Sequence, residues 1–350
     1  LKAIDWKNNS MLIGIDPGTN PDNDGFFVKS ITDGSLKSTF RVSGYAKGLH
    51  EIYLSPANNY IATTHSWAGK YAQLIIWDNV NSMNKLWSKD MVVAKGSACF
   101  SFNGELFAAS TSTNIGSEWD FFISVFESNS GIEKFKLGKG SITFFTSISF
   151  SKDGHYISAG NGLGELYLWD LIDGTLVWKD LEHNGKISSV NFLDAKSRIL
   201  STGLDGEVII RDLKTSRKIS TSYGLTEGTY ATILPNNYYR ASKDAFNYIH
   251  FTQGLDVFTF ENFDLVLNRP DIVAKALGSK DEMLIEAYYK AYQKRLKKMG
   301  FNENQIITDL HLPEVSILSN DFPLLTDQNS IDVSISAKDT KYTLDRINVY

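Results

Sequence analysis

The sequence is poor in several features, and each absence excludes a class of protein. A single cysteine, Cys99, stands among 350 residues, so there is no intrachain disulfide and no zinc site built from cysteines. No apolar run approaches the roughly 20 residues that span a bilayer as a helix, and the amino end lacks a basic stretch leading into an apolar one. Positive charge is not in surplus: 35 Lys and Arg against 40 Asp and Glu leave a formal charge of -5 and a pI near 5.7. That balance argues against a chain-wide attraction to nucleic acid or to an anionic membrane, so any basic site has to be local. Cytoplasm is the expected compartment. Hydrolase and nucleotide signatures are missing too. There is no GxSxG elbow, and the glycine-rich GNGLGE at 160–165 neither opens a helix nor precedes a Lys-Ser/Thr pair, so it reads as a hairpin. The histidines at 50, 65, 155, 183, 250 and 311 show no short metal-binding spacing. No cofactor is expected.

What the chain has instead is repetition. An apolar residue, a polar turn and a second apolar strand recur as WKNNSMLI from Trp6, LSPANNYI from Leu54, FSFNGELF from Phe100, FSKDGHYI from Phe150 and FLDAKSRI from Phe192, with a shortened ILPNNYY from Ile233. The intervals are 48, 46, 50, 42 and 41 residues, close to the roughly 40 to 45 of one four-stranded propeller blade. Within each period, runs of Val, Ile, Phe, Tyr and Thr alternate with Gly, Asn and Asp turns, as in KISSVNF, RILSTG, EVIIRDL and RKISTSY. Four short strands cannot bury both faces alone, so successive copies must stack to complete a core.

A second anchor closes a later strand of each copy: LIIWD with Trp77 and Asp78, ISVFE with Phe126 and Glu127, LYLWD with Trp169 and Asp170, VIIRD with Arg211 and Asp212. FFVKS, ending at Ser30, and NYIHF, ending at Phe251, are weaker copies. These residues resemble the WD-repeat family over about residues 1 to 260. The resemblance implies an all-β propeller with six readable blades, and seven if the ring is completed elsewhere. It also implies a buried network within each blade, made by a loop His, a Ser or Thr, a turn Asp and the Trp. Only the copy at 183–212 keeps most of it, as His183, Ser201 or Thr202, and Asp205, with Arg211 replacing Trp.

Strand alternation gives way to helical spacing near residue 265, so the expected domains are a propeller over 1–262, a helical connector over 263–302 and a β-rich segment over 303–350. RPDIVAKALG has Pro270 in a first turn and Gly278 as a stop. SKDE, from Ser279 to Glu282, reads as a capping box for a helix running to about Met299, with Leu284, Tyr288, Ala291, Tyr292 and Met299 on its apolar face. Lys294, Arg295, Lys297 and Lys298 sit where positive charge suits the helix dipole. VSIL and IDVSIS then alternate with period two, and LDRINVY reads as a further strand. A chain that starts without Met and stops inside a strand is expected to belong to a longer protein. NNYYRASKDAFNYIHF, FENFDLVLNRPDIVAKALG and AYQKRLKKMGF, over about 236–301, resemble the junction in bacterial proteins that join a WD-repeat propeller to a caspase-like peptidase. That family's catalytic residues lie downstream of this junction, so none is carried over here.

The remaining candidates are few. Cys99, in SACFSF, reads as a buried strand thiol without the electropositive setting of a nucleophile. DPGTNPDNDG places Asn20, Asp22, Asp24 and Gly25 like the start of a calcium loop, but Ile31 stands where the bidentate Glu belongs. Trp67 and Trp119, read as lying in inserted loops, are candidate partner contacts. The expectation is a non-catalytic propeller that binds a protein or peptide through loops on one face and is linked to an effector domain. The rivals are an enzyme with its site at the central opening and a structural spacer.

Overall fold

The computed structural model describes residues 3–5, 11–16, 25–29, 33, 35–41, 49–57, 59–67, 71–78, 84–115, 118–193, 197–226, 228–253, 255–260, 263–305, 313–318, 332–341 and 343–344, the first four strands by backbone alone. Two compact units divide at Leu1–Gly224 and Leu225–Tyr350, earlier in the chain than the change of composition near residue 265.

The first unit is five antiparallel meanders of four strands. They are β1 to β4 (Ala3–Asp5, Met11–Asp16, Gly25–Lys29, Leu36–Arg41) and β5 to β8 (Leu49–Leu54, Tyr60–Trp67, Tyr71–Asp78, Lys85–Asp90). Next come β9 to β12 (Ala98–Phe100, Leu106–Ile115, Glu118–Glu127, Glu133–Ser141) and β13 to β16 (Phe145–Phe150, Tyr156–Asn161, Glu165–Asp170, Leu176–Leu181). The fifth meander is β17 to β20 (Ile187–Leu193, Arg198–Gly203, Glu207–Asp212, Lys218–Gly224). The first strand of each sheet lies against the first strand of the next: β1 by β5, β5 by β9, β9 by β13, β13 by β17. Meanders joined in series at their innermost strands are blades of a β-propeller.

The repeating anchors have clear physical jobs. In the first anchor a buried serine closes the first hairpin. Ser55 Oγ accepts from the Asn59 and Tyr60 amides, Ser101 Oγ from Leu106, and Ser151 Oγ from Tyr156, at 2.9 to 3.0 Å. In the second anchor the strand pairing slips at the signature residue of every blade, at Lys29, Trp77, Phe126, Trp169 and Arg211. This shared bulge increases the twist of the outer strand. Apolar side chains from neighbouring blades fill the space between them. Ile123, Val125 and Leu137 of the third blade pack with Phe145, Ile148, Ile157 and Trp169 of the fourth, and Leu166 and Leu168 of the fourth pack with Ile187, Val190 and Ile199 of the fifth.

In the second unit the sixth sequence copy also supplies four strands, but as two hairpins: β21 (Tyr230–Ile233) with β22 (Tyr239–Ala241), and β23 (His250–Gln253) with β24 (Asp256–Thr259). A 3₁₀ turn at Lys243–Tyr248 interrupts the meander. Among the described residues three helices follow: α1 (Asp264–Leu267), α2 (Pro270–Ala276) and α3 (Glu282–Lys298). Pro270 does occupy the first turn of α2, and Gly278 follows it at φ +74°. The cap of α3 differs from the expected box. Asp281, not Ser279, accepts from the Leu284 amide at 2.9 Å, because its carboxylate stands three residues before that donor, whereas Ser279 reaches only the Asp281 amide. The apolar face is narrower than its spacing implies: Tyr292 and Leu296 are buried, while Leu284 and Ala291 are exposed. Arg295 leaves the basic cluster to donate to the Asn268 carbonyl at 2.5 Å. Arg269 lies 4.1 Å from the Tyr292 ring centre and pairs with buried Asp271. β25 (Glu314–Ile317) pairs with β26 (Ile335–Lys338), whereas the strand expected in LDRINVY lies almost wholly outside the described residues. No helix among the described residues is long and apolar enough to cross a membrane.

Candidate functional site: a divided polar network and the loop face of the first unit

Strand register defines equivalent positions. Thr63, Ala109, Ala159 and Ser201 share one place on the second strand, opposite Ile52, Ala98, Ile148 and Val190. Trp77, Phe126, Trp169 and Arg211 share one place on the third, opposite Ile61, Phe107, Ile157 and Ile199. The acids that follow hold turns. Asp170 Oδ1 accepts from the Ile172 amide, Asp212 Oδ1 from the Lys214 and Thr215 amides, and Glu127 from the Ser130 hydroxyl and Lys134. Asp78 ends β7, where its amide donates to the Asn84 carbonyl. Phe126 packs against Trp87 with ring centres 5.6 Å apart, and Trp169 stacks on Tyr167 at 5.2 Å.

In the fifth blade His183 Nδ1 meets both oxygens of Asp205 at 3.0 Å and Nε2 meets Ser201 Oγ at 2.9 Å. Ser201, and not Thr202, is therefore the network hydroxyl. Burial opposes the Asp205 charge, but hydrogen bonds from the Glu207 amide, His183 and the Asn184 amide outweigh it and lower its pKa. Gly203 makes room: a Cβ there would lie 2.4 Å from His183 Nδ1. Arg211 turns away from Ser201, pairing with buried Glu182 and, at 2.7 Å, with Asp180. Burial raises the Glu182 pKa, and Arg211 offsets that only in part.

The second blade holds the other part of the network. Trp77 Nε1 donates to Thr63 Oγ1 at 2.8 Å, and His65 Nε2 meets the same oxygen at 2.9 Å. The sequence reasoning missed His65 because it sits on the strand and not in the loop. A hydroxyl at the Ser201 position with Trp77 behind it was the available signal. It also missed an outer-strand clamp. Trp87 and Trp178 donate from their Nε1 atoms to the Ser128 and Leu213 carbonyls of the next blade, each at 2.8 Å, and the equivalent Phe135 packs on Gly174. KLW, EKF and LVW, with the aromatic always third in the fourth strand, carried that signal.

Asp205, His183 and Ser201 have the connectivity of a nucleophilic triad, yet His183 and Ser201 are 2% and 1% exposed, so no substrate reaches them. Ligand atoms of His183, Asp205 and Glu207 lie within 4.8 Å of one another. Their lone pairs serve the network, however, since Asp205 accepts from His183 and two amides and Glu207 from the Tyr223 hydroxyl. Cys99 lies on β9, where burial pushes its thiol up to about 12, so the thiolate nucleophile is suppressed. Asn20, Asp22 and Asp24 lie outside the described residues. Trp67 and Trp119 are not in inserted loops: Trp67 ends β6 opposite Tyr71, and Trp119 lies in β11 opposite Asn114, because these hairpins run on beyond the sheet. The Trp67 side chain is outside the described set, while Trp119 is 55% exposed.

In a meander, connections between second and third strands share one face with those between blades. That face carries exposed Trp119, Ile142, Leu163 and Leu204. The opposite face has exposed Phe102, Ile132 and Ile172 and two open clefts. One, of about 300 Å³, is lined by residues including Lys152, Phe192 and Arg198. The other, of about 600 Å³, has a polar lining that includes Asn59, Asn103, Glu105 and Glu127.

Fold and register together define an all-β propeller, with a buried polar network divided between two blades. Among solved structures the chain is similar to the β-propeller domain of Cps50 (Swd1) from Myceliophteria thermophila, at 12% identity and a TM-score of 0.44, over 67% of this chain and 83% of that one. No family model matches the sequence, and no curated protein matches it.

Proposed function

We propose that this chain is a non-catalytic interaction platform that binds a protein or peptide on the face formed by its interblade connections. The observation that carries the proposal is the set of four large apolar side chains left exposed there, Trp119, Ile142, Leu163 and Leu204, against Phe102, Ile132 and Ile172 on the opposite face. Exposed large apolar side chains on one surface mark partner sites. The burial of the Asp205–His183–Ser201 set and the suppressed Cys99 thiol support a role without chemistry of its own. The resemblance of residues 236–301 to a propeller–peptidase junction supports a finer proposal, that binding here regulates a linked effector.

A random-peptide display selection with the full chain as bait tests the platform. The expected result is enrichment of related sequences, lost when Ile142→Asp and Leu204→Asp are introduced together and kept with Phe102→Asp and Ile172→Asp on the other face. No enrichment over the unfolded chain would overturn the proposal in favour of a spacer.

A further inference from the structure

We infer that Asn184 is a site of spontaneous covalent modification, the residue at which the folded chain deamidates to aspartate and isoaspartate. The inference is independent of the platform reading, since it follows from a contrast among three dipeptides of the same sequence.

Asn-Gly occurs at 103–104, 161–162 and 184–185. In such a pair the glycine amide nitrogen can attack the asparagine side-chain carbonyl carbon, because no Cβ on the glycine hinders the approach. A bond forms from that nitrogen to Cγ, the bond from Cγ to Nδ2 breaks, and the glycine amide proton leaves with Nδ2 as ammonia. Water then opens the cyclic imide at either of its carbonyls, which yields aspartate or isoaspartate and needs no oxidant or reductant. The attack requires a side-chain amide free to turn towards the backbone and a glycine amide not engaged elsewhere.

Two of the pairs lack that freedom. Asn103 Oδ1 accepts from the Ser101 hydroxyl at 2.7 Å and the Glu105 amide at 3.1 Å, and its Nδ2 donates to Glu105 Oε2 at 2.7 Å. The attacking nitrogen is also held there, since the Gly104 amide donates to the Ser101 carbonyl at 2.9 Å. Asn161 is fully buried, with Oδ1 accepting from the Leu163 and Glu165 amides at 3.0 Å and Nδ2 donating to Glu165 Oε2 at 2.7 Å.

Asn184 differs on every count. It lies in the connection from β16 to β17, directly after His183, and is exposed. Among the described residues neither its side chain nor the Gly185 amide makes a hydrogen bond. Gly185 has φ +127°, which holds glycine at this position, and a Cβ placed on it would meet nothing within 4 Å, so the surroundings are open. The Asn184 amide donates to Asp205 Oδ2 at 2.9 Å, on the carboxylate that meets His183 Nδ1 at 3.0 Å. Conversion therefore adds a carboxylate beside the His183–Asp205–Ser201 set, and the isoaspartate form also inserts a methylene into the backbone between residue 184 and Gly185.

The test incubates the full chain in mildly alkaline buffer, folded and in urea, and follows the three sites by peptide mapping with mass spectrometry. In the folded chain aspartate and isoaspartate are expected to build up at 184 ahead of 103 and 161. In urea the three rates should draw together, because the folded hydrogen bonds that separate them are gone. Asn184→Gln should remove the first acidic species seen on isoelectric focusing and leave the circular dichroism spectrum unchanged. Conversion at 103 or 161 that matches or precedes 184 in the folded chain would overturn the inference. So would a folded chain that shows no conversion at 184 by the time the unfolded chain has converted.

Discussion

In the second blade the imidazole that meets the buried hydroxyl comes from the strand, at His65; in the fifth it comes from the loop, at His183, and Gly203 occupies the strand position equivalent to His65. The glycine leaves the space that His65 fills with its own ring. Blades three and four have Ala109 and Ala159 in place of the hydroxyl, and Thr111 and Asn161 in place of His65. Imidazole and hydroxyl thus come and go together, as a buried hydroxyl that needs a partner requires. The two blades differ at the far ends of the network. His183 is completed by Asp205 and lacks a Trp, whereas Thr63 is completed by Trp77 and His65 Nδ1 is buried without a partner among the described residues.

The largest break is expected in the fifth blade. Removing Arg211 leaves Glu182, 6% exposed, without its cation, and stranding a buried charge costs about 3–5 kcal/mol. Urea unfolding of Arg211→Ala should show that loss, and adding Glu182→Gln to the same chain should restore much of it. A loss unaffected by Glu182→Gln would mean that Asp180 and the Ser216 carbonyl, to both of which Arg211 also donates, set the importance of Arg211.

Acid should break the second blade. Burial lowers the His65 pKa from 6.5 to about 4. Between those values the unfolded chain holds the proton and the folded one does not, so stability rises with pH across this window and is lost on acidification. The full difference is on the order of 3 kcal/mol. Unfolding free energies measured from pH 7 down to pH 4 should show this slope in the wild type. His65→Gln should flatten it. An unchanged slope would assign the acid sensitivity to carboxylates instead.

The legible parts of the fold were those governed by local chemistry. Ser55, Ser101 and Ser151 sit at fixed distances from the strand ends they close, so the period could be read directly. The loop histidine with its turn aspartate, His183 and Asp205, was visible for the same reason. His65 was hidden because a histidine two residues beyond a threonine on a strand looks like any polar alternation until register places Trp77 opposite the strand. Arg211 was readable as a departure, but not its pairing with Glu182, 29 residues earlier on a loop. Also hidden was the length of β10 and β11, which turned an apparent loop tryptophan into one carried on a hairpin.

The finest distinction between the two blades is one of coupling. Thr63 Oγ1 holds both Trp77 and His65, so Thr63→Val strands two donors or acceptors, while Ser201→Ala strands only His183 Nε2. Each unsatisfied group costs about 1–3 kcal/mol, so Thr63→Val should be the more destabilising. A double-mutant cycle separates the networks more sharply. Thr63→Val with Trp77→Phe should show a coupling of about 1 kcal/mol, the worth of their hydrogen bond. Ser201→Ala with Arg211→Ala should be additive to within ~0.5 kcal/mol, because Arg211 points to Glu182 and Asp180 and makes no bond to Ser201. Equal coupling in both cycles would mean that the signature position acts through packing alone, and that the division of the network between the blades has no energetic content.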